Sequence, residues 1–377
     1  MTLLVVAVAL AAVPTASAHE GTVHGGVPHL ALLGTLVVGL AALAGIAVLD
    51  RAGALDRVLS PRATALALVT GVSLAALGAM GLVEVQVEPV GTAVTTRAWY
   101  PALTFFGGMG IVVGSLGCYL WRWGDHHAYP ILGTVLGLWV AYPELIPRGA
   151  TTHPLGYVLV LAVPVVLGYL YWTELRPAVR RLDRRSGLVG LAGGVAFGGF
   201  FVVSSGLFTL NPDVVSQAGG EPFTVVTTFA SPLVSWPAVE TYRPSVPLFA
   251  ALSVGTGLVV AVLAGLVGLN AAFGTAVWRR RDEVSTDGGT DVEASALPGV
   301  TGAVATTGAT ACCCCGPALY GVASAAMGAS ASPIYWAFTD PASPLATLFL
   351  VAAIALLSAS ALTLATSVRQ VCEVPSA

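Results

Sequence analysis

Charge is what this chain has least of. Of its 377 residues only 9% are Asp, Glu, Lys or Arg, against about 25% in a soluble domain, and a globule with so few ionised groups would not stay in water. Lysine is missing altogether. All 16 basic residues are arginine, a bias that fits a GC-rich genome, and the net charge of −3 excludes the strongly basic surface of a nucleic-acid binder. No Walker phosphate-binding motif and no lysine-containing phosphorylation sequence occur, which argues against ATP-driven pumping by this chain. Ser204-Ser205 lies in an apolar run with no nearby histidine, so a hydrolase triad is not expected. The apolar runs hold almost none of the acids and bases that proton-coupled transporters use. The expectation is a protein that is not an enzyme.

What is abundant is apolar surface. Hydrophobic residues make up 56% of the chain and the mean hydropathy is +0.85. The 44 Gly and 23 Pro sit inside long apolar runs, where both are commoner than in soluble helices. The fold class this implies is all-α, a polytopic transmembrane helical bundle whose first partner is the lipid bilayer, expected in the cell (plasma) membrane. Residues Met1 to Ala18 end in Ala16-Ser17-Ala18, the small-residue pattern after which a signal peptidase cuts, so 1–18 is read as a signal peptide.

A bilayer of about 30 Å takes roughly 20 apolar residues to cross. Runs of that kind fall at 28–49, 63–83, 100–121, 129–146, 154–173, 187–209, 246–277, 299–328 and 345–367, nine spans. With the amino terminus outside, 13 arginines fall in inner connections and only Arg97, Arg148 and Arg243 in outer ones. Cytoplasmic loops keep positive charge, so the carboxyl terminus is expected inside. The longest outer connection, 210–245, holds Asn211-Pro212-Asp213 and ends near Trp236 and Tyr242. It reads as a re-entrant or interfacial lid with its aromatics at headgroup level. The inner stretch 278–298 reads as a flexible linker. It divides a seven-helix region, 19–277, from a two-helix unit, 299–377. No inverted repeat is visible.

The eighth run contains Cys312-Cys313-Cys314-Cys315-Gly316-Pro317. On a helix Cys312 and Cys315 share a face, since positions i and i+3 are neighbours. Pro317 removes the hydrogen bond to the Cys313 carbonyl and should kink the helix. At 1.5 Å per residue from residue 299, Cys312 lies about 20 Å along the span, too deep for juxtamembrane lipidation. Soft thiolates at this spacing suit Cu(I) or another thiophilic cation, and a bound metal lowers the thiol pKa. Packing as small apolar residues and a regulatory disulfide stay open as alternatives. So does thiol–quinone electron transfer, for which Cys118 and Cys372 would supply only single partner thiols.

The stretch Thr310 to Leu319, followed by Gly328, Trp336, Pro341 and Pro344, resembles the mercuric-ion transport membrane protein family. That family carries a Cys pair followed closely by Gly-Pro in a membrane helix, then a Gly-rich turn, a Trp and a Pro-bearing segment. The resemblance covers about 300–360, with four cysteines where the family has two. It implies that the thiols receive a soft cation, Hg(II) in that family, and pass it across the bilayer.

Histidine supplies a second candidate site. Cleavage after Ala18 would start the mature chain at His19, with His24 and His29 following. A terminal His offers amine and imidazole to one metal, and imidazole suits Cu, Zn and Ni. The arrangement is similar to the amino-terminal histidine brace of secreted copper proteins, although a plain polar tail has the same composition. Asp125-His126-His127, flanked by Trp121, Trp123 and Tyr129, reads as a solvated inner turn in an aromatic belt, or as an exit point for metal. Glu144 is expected to pair with Arg148, near His153.

Overall fold

The structure is a computed structural model that describes residues 23–24, 27–52, 54–60, part of 63–78, 98–122, 127–146, 150–204, 207–209, 221–243, 248–286 and 343–373. Those residues are mostly helical. Five helices are long and apolar enough to cross a membrane: Tyr100–Trp121, Pro154–Val179, Arg184–Val203, Val254–Arg279 and Pro344–Arg369. The chain is a multi-pass membrane protein. It divides into two units, residues 1–94 with 315–340 and residues 95–314 with 341–377.

In the first unit, β1 (Val23–His24) and β2 (Val27–Pro28) form a small hairpin that pairs His24 with Val27. It leads into α1 (His29–Arg51), where the first of the expected spans lies, and then the short α2 (Leu55–Val58). The described residues within 63–78 that follow are helical. They run against α1 with backbones touching: a Cβ built on Gly78 would lie 2.7 Å from Leu36 Cα.

The second unit holds α3 (Tyr100–Arg122), α4 (Ala128–Leu145) and α5 (Pro154–Leu170). A five-residue π-turn, Tyr171–Leu175, joins α5 to α6 (Arg176–Val179), and α7 (Arg184–Ser204) follows. After β3 (Phe208–Thr209), β4 (Phe223–Phe229), β5 (Trp236–Arg243) and β6 (Leu248–Ser253) come α8 (Val254–Thr286) and α9 (Pro344–Glu373). Lipid offers no hydrophobic force to pull helices together, so they associate where small residues let backbones approach. A Cβ on Gly108 of α3 would lie 2.6 Å from Ala141 N and from the Gly137 carbonyl oxygen of α4. Between α7 and α8, a Cβ on Gly190 would lie 2.6 Å from the Gly268 carbonyl oxygen. The core gathers round α4, where Leu136, Val140 and Tyr142 pack with Leu159 and Val163 of α5, Leu263 of α8 and Ile354 and Leu357 of α9. At 18 residues, α4 is about 27 Å long.

This unit has two distinct ends. At one lie Arg122, Arg176, Arg180, Arg181, Arg184, Arg185, Arg279 and Arg369; at the other lie the sheet and Arg243. Helices α8 and α9 run in the same direction between them. Leu263 packs near Ile354, Phe273 and Val277 near Leu364 and Val368, and Arg279 and Arg369 both meet the Arg181–Asp183 turn.

The sheet corrects the all-α expectation. Its four strands are antiparallel in the order β3-β6-β5-β4, with Val226 opposite Val239 and Val239 opposite Leu252. The described part of 210–245 is therefore no re-entrant segment. Trp236 and Tyr242 are buried on the sheet's inner face at 6% and 2% exposure, because β5 alternates buried and exposed positions as strand geometry requires. Two span boundaries move for the same reason. The run 187–209 ends as helix at Ser204 and enters β3. In the run 246–277, Leu248–Ser253 is strand and helix starts at Val254. Helix α8 also continues past Arg279 to Thr286, so the start of 278–298 is helical. The eighth run, 299–328, lies outside the described residues.

Candidate functional site

The Cys312–Cys315 cluster and His19 lie outside the described residues. His24 pairs with Val27 in the hairpin and His29 begins α1. Among the described residues, no group of three or more His, Cys, Asp or Glu comes together.

Two of the remaining histidines, His127 and His153, take structural parts. His153 precedes α5, with Pro154 at the first helical position, and its Nδ1 accepts a hydrogen bond from Leu155 N at 3.2 Å. That satisfies one of the amides a helix start leaves unpaired. His127 shares a 2.8 Å hydrogen bond between its Nδ1 and the Tyr119 hydroxyl across the α3–α4 turn. Asp125, His126 and Arg148 lie outside the described residues, and with Arg148 the expected partner of Glu144. Cys118 is an exposed free thiol on α3.

The most densely bonded feature at the sheet end is the turn Ser231–Trp236, which drops from the sheet into the helices. Ser231-Pro232 is a cis peptide, and Leu233 has φ 56°, a left-handed conformation that costs a non-glycine residue about 1–3 kcal/mol. Several bonds hold it there. Trp236 Nε1 donates to the Pro232 carbonyl at 3.1 Å, Tyr157 OH to the Ser235 carbonyl at 2.6 Å, and Ser235 N to the Thr151 carbonyl at 2.7 Å. The Tyr157 and Trp236 rings meet edge to face at 5.0 Å. Val234 is fully buried and fits only because residue 156 is glycine: a Cβ there would strike Val234 Cγ1 and lie 2.7 Å from the Tyr142 hydroxyl. Tyr142 OH donates to the Ala150 carbonyl at 2.5 Å, closing the same corner.

At the arginine end, Asp183 accepts from Ser186 Oγ at 2.5 Å and Ser186 N at 3.3 Å, and pairs with Arg279. The Ser186 hydroxyl foremost, then its amide and the Arg279 guanidinium, hold the Asp183 carboxyl below its usual value. Arg181 Nη1 donates to the Arg369 carbonyl at 3.2 Å. Arg176 stacks 3.7 Å over the ring of Trp172, a cation–π contact. Between the ends, Asn270 is 2% exposed. Its Nδ2 donates to the Leu266 and Leu357 carbonyls at 2.8 and 2.9 Å, tying α8 to α9, while its Oδ1 has no partner among the described residues.

Sequence reasoning missed the turn and the Asn270 bridge. Pro232 and Pro237 bracketing Ser235-Trp236 signalled the turn, and an asparagine alone in a run of apolar residues signalled the bridge. Internal space here is apolar. A void of about 10 Å³ is lined by Trp139, Val160, Val163, Leu258 and Ile354 among others, and an open groove of about 330 Å³ runs between α5 and α8 past Gly168 and Gly265. Compared with family models, curated proteins and solved structures, the chain matches none.

Proposed function

We propose that the chain handles a thiophilic metal ion of the Cu(I) or Hg(II) class in the cell membrane, with Cys312, Cys313, Cys314 and Cys315 as its soft ligands and His19, His24 and His29 as the groups that first collect the ion. One observation supports this above others. Helices α8 and α9 run in the same direction, so the intervening chain starts at the arginine end with Thr286 and finishes at the sheet end with Ser343. In a membrane that return takes an odd number of crossings, and the apolar run available for it, 299–328, is the one that carries the four cysteines. The gathering of arginines at one end supports taking that end as cytoplasmic. Nine spans, an outer amino terminus and an inner carboxyl terminus follow on that reading. The ion would enter from the histidine side, meet thiolates inside the bilayer, where few other reactive groups exist, and leave inward.

A second reading has its own support. Several polar groups described inside the second unit hold structure, among them the His153 cap and the Asn270 bridge, which is what a non-catalytic membrane subunit with cysteines packed as small residues would show. The amount of Cu(I) bound per purified protein separates the two. Loss of bound copper in a Cys312→Ser/Cys315→Ser variant of unchanged thermal stability is expected from metal handling. Equal stoichiometry in variant and wild type would leave the subunit reading standing.

A further inference from the structure

Among the described residues, strand β4 is the outermost strand of the sheet, paired on one side only, with β5. Edge strands invite pairing with other chains, and proteins blunt them with charge, proline or a bulge. This one has none of those. It reads Phe223-Thr224-Val225-Val226-Thr227-Thr228-Phe229, all aromatic or β-branched, and it pairs with β5 without interruption over its whole length. It is also bare: Val226 is 77% exposed, Val225 41% and Phe229 42%.

The sequence is close to its own mirror image about Val226. Laid antiparallel on a second copy, Phe223 stands opposite Phe229, Thr224 opposite Thr228, Val225 opposite Thr227 and Val226 opposite Val226. Aromatic, Thr–Thr and β-branched pairs are those that stabilise antiparallel sheets, by about 0.2–1 kcal/mol each, and no like charges oppose one another. We infer that two copies of this chain associate through β4 about a two-fold axis, joining their sheets into one of eight strands.

The faces of the sheet agree with that symmetry. Trp236, Ala238 and Tyr242 are buried, while Val226, Val239 and Leu252 on the opposite face are exposed. Trp236 meets Tyr157 at the start of α5, so the buried face covers the helices. A two-fold axis perpendicular to the sheet keeps the faces of both copies aligned, leaving both helical units on one side, as two proteins in one bilayer require. The register is constrained as well. Slipping by one residue would set inward positions against outward ones, and slipping by two would unpair the phenylalanines. A seven-residue edge is about 24 Å long and buries less than the roughly 1,000 Å² that a stable soluble dimer needs. The pair therefore depends on the high effective concentration that confinement to a membrane provides.

The test is cross-linking in native membranes with a short bifunctional maleimide, the wild type with its own six cysteines setting the baseline. Val226→Cys is expected to give covalent dimer. Thr224→Cys alone is not, because the two copies of residue 224 would stand four residues out of register, about 14 Å apart. Co-expressed Thr224→Cys and Thr228→Cys chains should cross-link to each other, and Leu252→Cys, also exposed, at 57%, but inside the sheet, should not. Thr224→Lys with Thr228→Lys should lower cross-linking through an added Val226→Cys at least tenfold, and Thr224→Lys with Thr228→Glu should restore it. Absence of dimer from Val226→Cys, or equal dimer from Leu252→Cys, would overturn the inference.

Discussion

A methyl group placed at Gly268 should destabilise the protein, whereas the same group six residues further along α8, at Gly274, should stabilise it. At Gly268 the added carbon would lie 2.8 Å from the Gly190 carbonyl oxygen, roughly 0.6 Å inside ordinary contact, and the obstacle is backbone, which cannot swing aside. Helices α7 and α8 would have to part by about that distance. A gap of 0.5–1 Å forfeits about a quarter to a half of each dispersion contact along the seam, and overpacking of this kind costs about 1–3 kcal/mol. At Gly274 nothing lies within 4 Å of the new carbon, so Ala brings only its better helix propensity, up to about 1 kcal/mol. At about 2–4 °C per kcal/mol, Gly268→Ala should melt about 2–12 °C below wild type and Gly274→Ala up to about 4 °C above it. Thermal unfolding in mild detergent, followed by tryptophan emission, measures both. A Gly268→Ala protein that melts with the wild type would refute close backbone contact as the basis of this helix pair, and so would a Gly274→Ala protein that falls as far.

Two further outcomes follow from the ends of the second unit. The Asp183 carboxyl is held below its ordinary value of 3.8 in the folded protein, so its contribution to stability is complete above that pH and is lost as pH falls through the lower folded value. The stability advantage of wild type over Asp183→Asn, from denaturation in detergent at stepped pH, should be constant above about pH 5 and shrink below about pH 4; an advantage growing toward acid would contradict the assigned bonds. Tyr157→Phe removes the hydroxyl that donates to the Ser235 carbonyl. It should cost about 1 kcal/mol and raise the rate of proteolytic cutting within Ser231–Trp236, and cleavage at the wild-type rate would show that this bond does not hold the turn.

Helix positions were legible wherever an apolar run was both long and uniform. Tyr100–Arg122 and Pro154–Leu170 begin within a residue of where hydropathy puts them, since length alone distinguishes a span. The strands were hidden by the same uniformity. Leu248–Ser253 continues without a polar break into Val254, and a short apolar run cannot be assigned to strand or helix by its pattern; its partners on β5 decide it. Phe223–Phe229 and Trp236–Arg243 did carry a β-branched and aromatic signature, diluted in a chain already rich in valine. The His153 cap was readable from the His-Pro step before an apolar run. The Arg279–Asp183 pair and the Arg181–Arg369 bond join positions 96 and 188 residues apart, and nothing local announces such partners. The cysteine and histidine ligands rest on the sequence alone.

The π-turn inside the second membrane-crossing helix of the second unit has a consequence for how that span can change. An α-helix turns about 100° per residue, so side chains five apart stand roughly 140° from each other. Leu170 and Leu175 are five apart, and each is only 1% exposed, because the wide turn between them takes up a residue without the usual rotation. The span thus carries two independent angular phases. Pro154–Leu170 is set mainly against α4, and Arg176–Val179 against α9 through Ala178, Ala361 and Leu364. Either phase can drift through substitution without dragging the other round, so the arginine-bearing turn can be rewritten over generations while the stripe buried deeper in the bilayer stays in place.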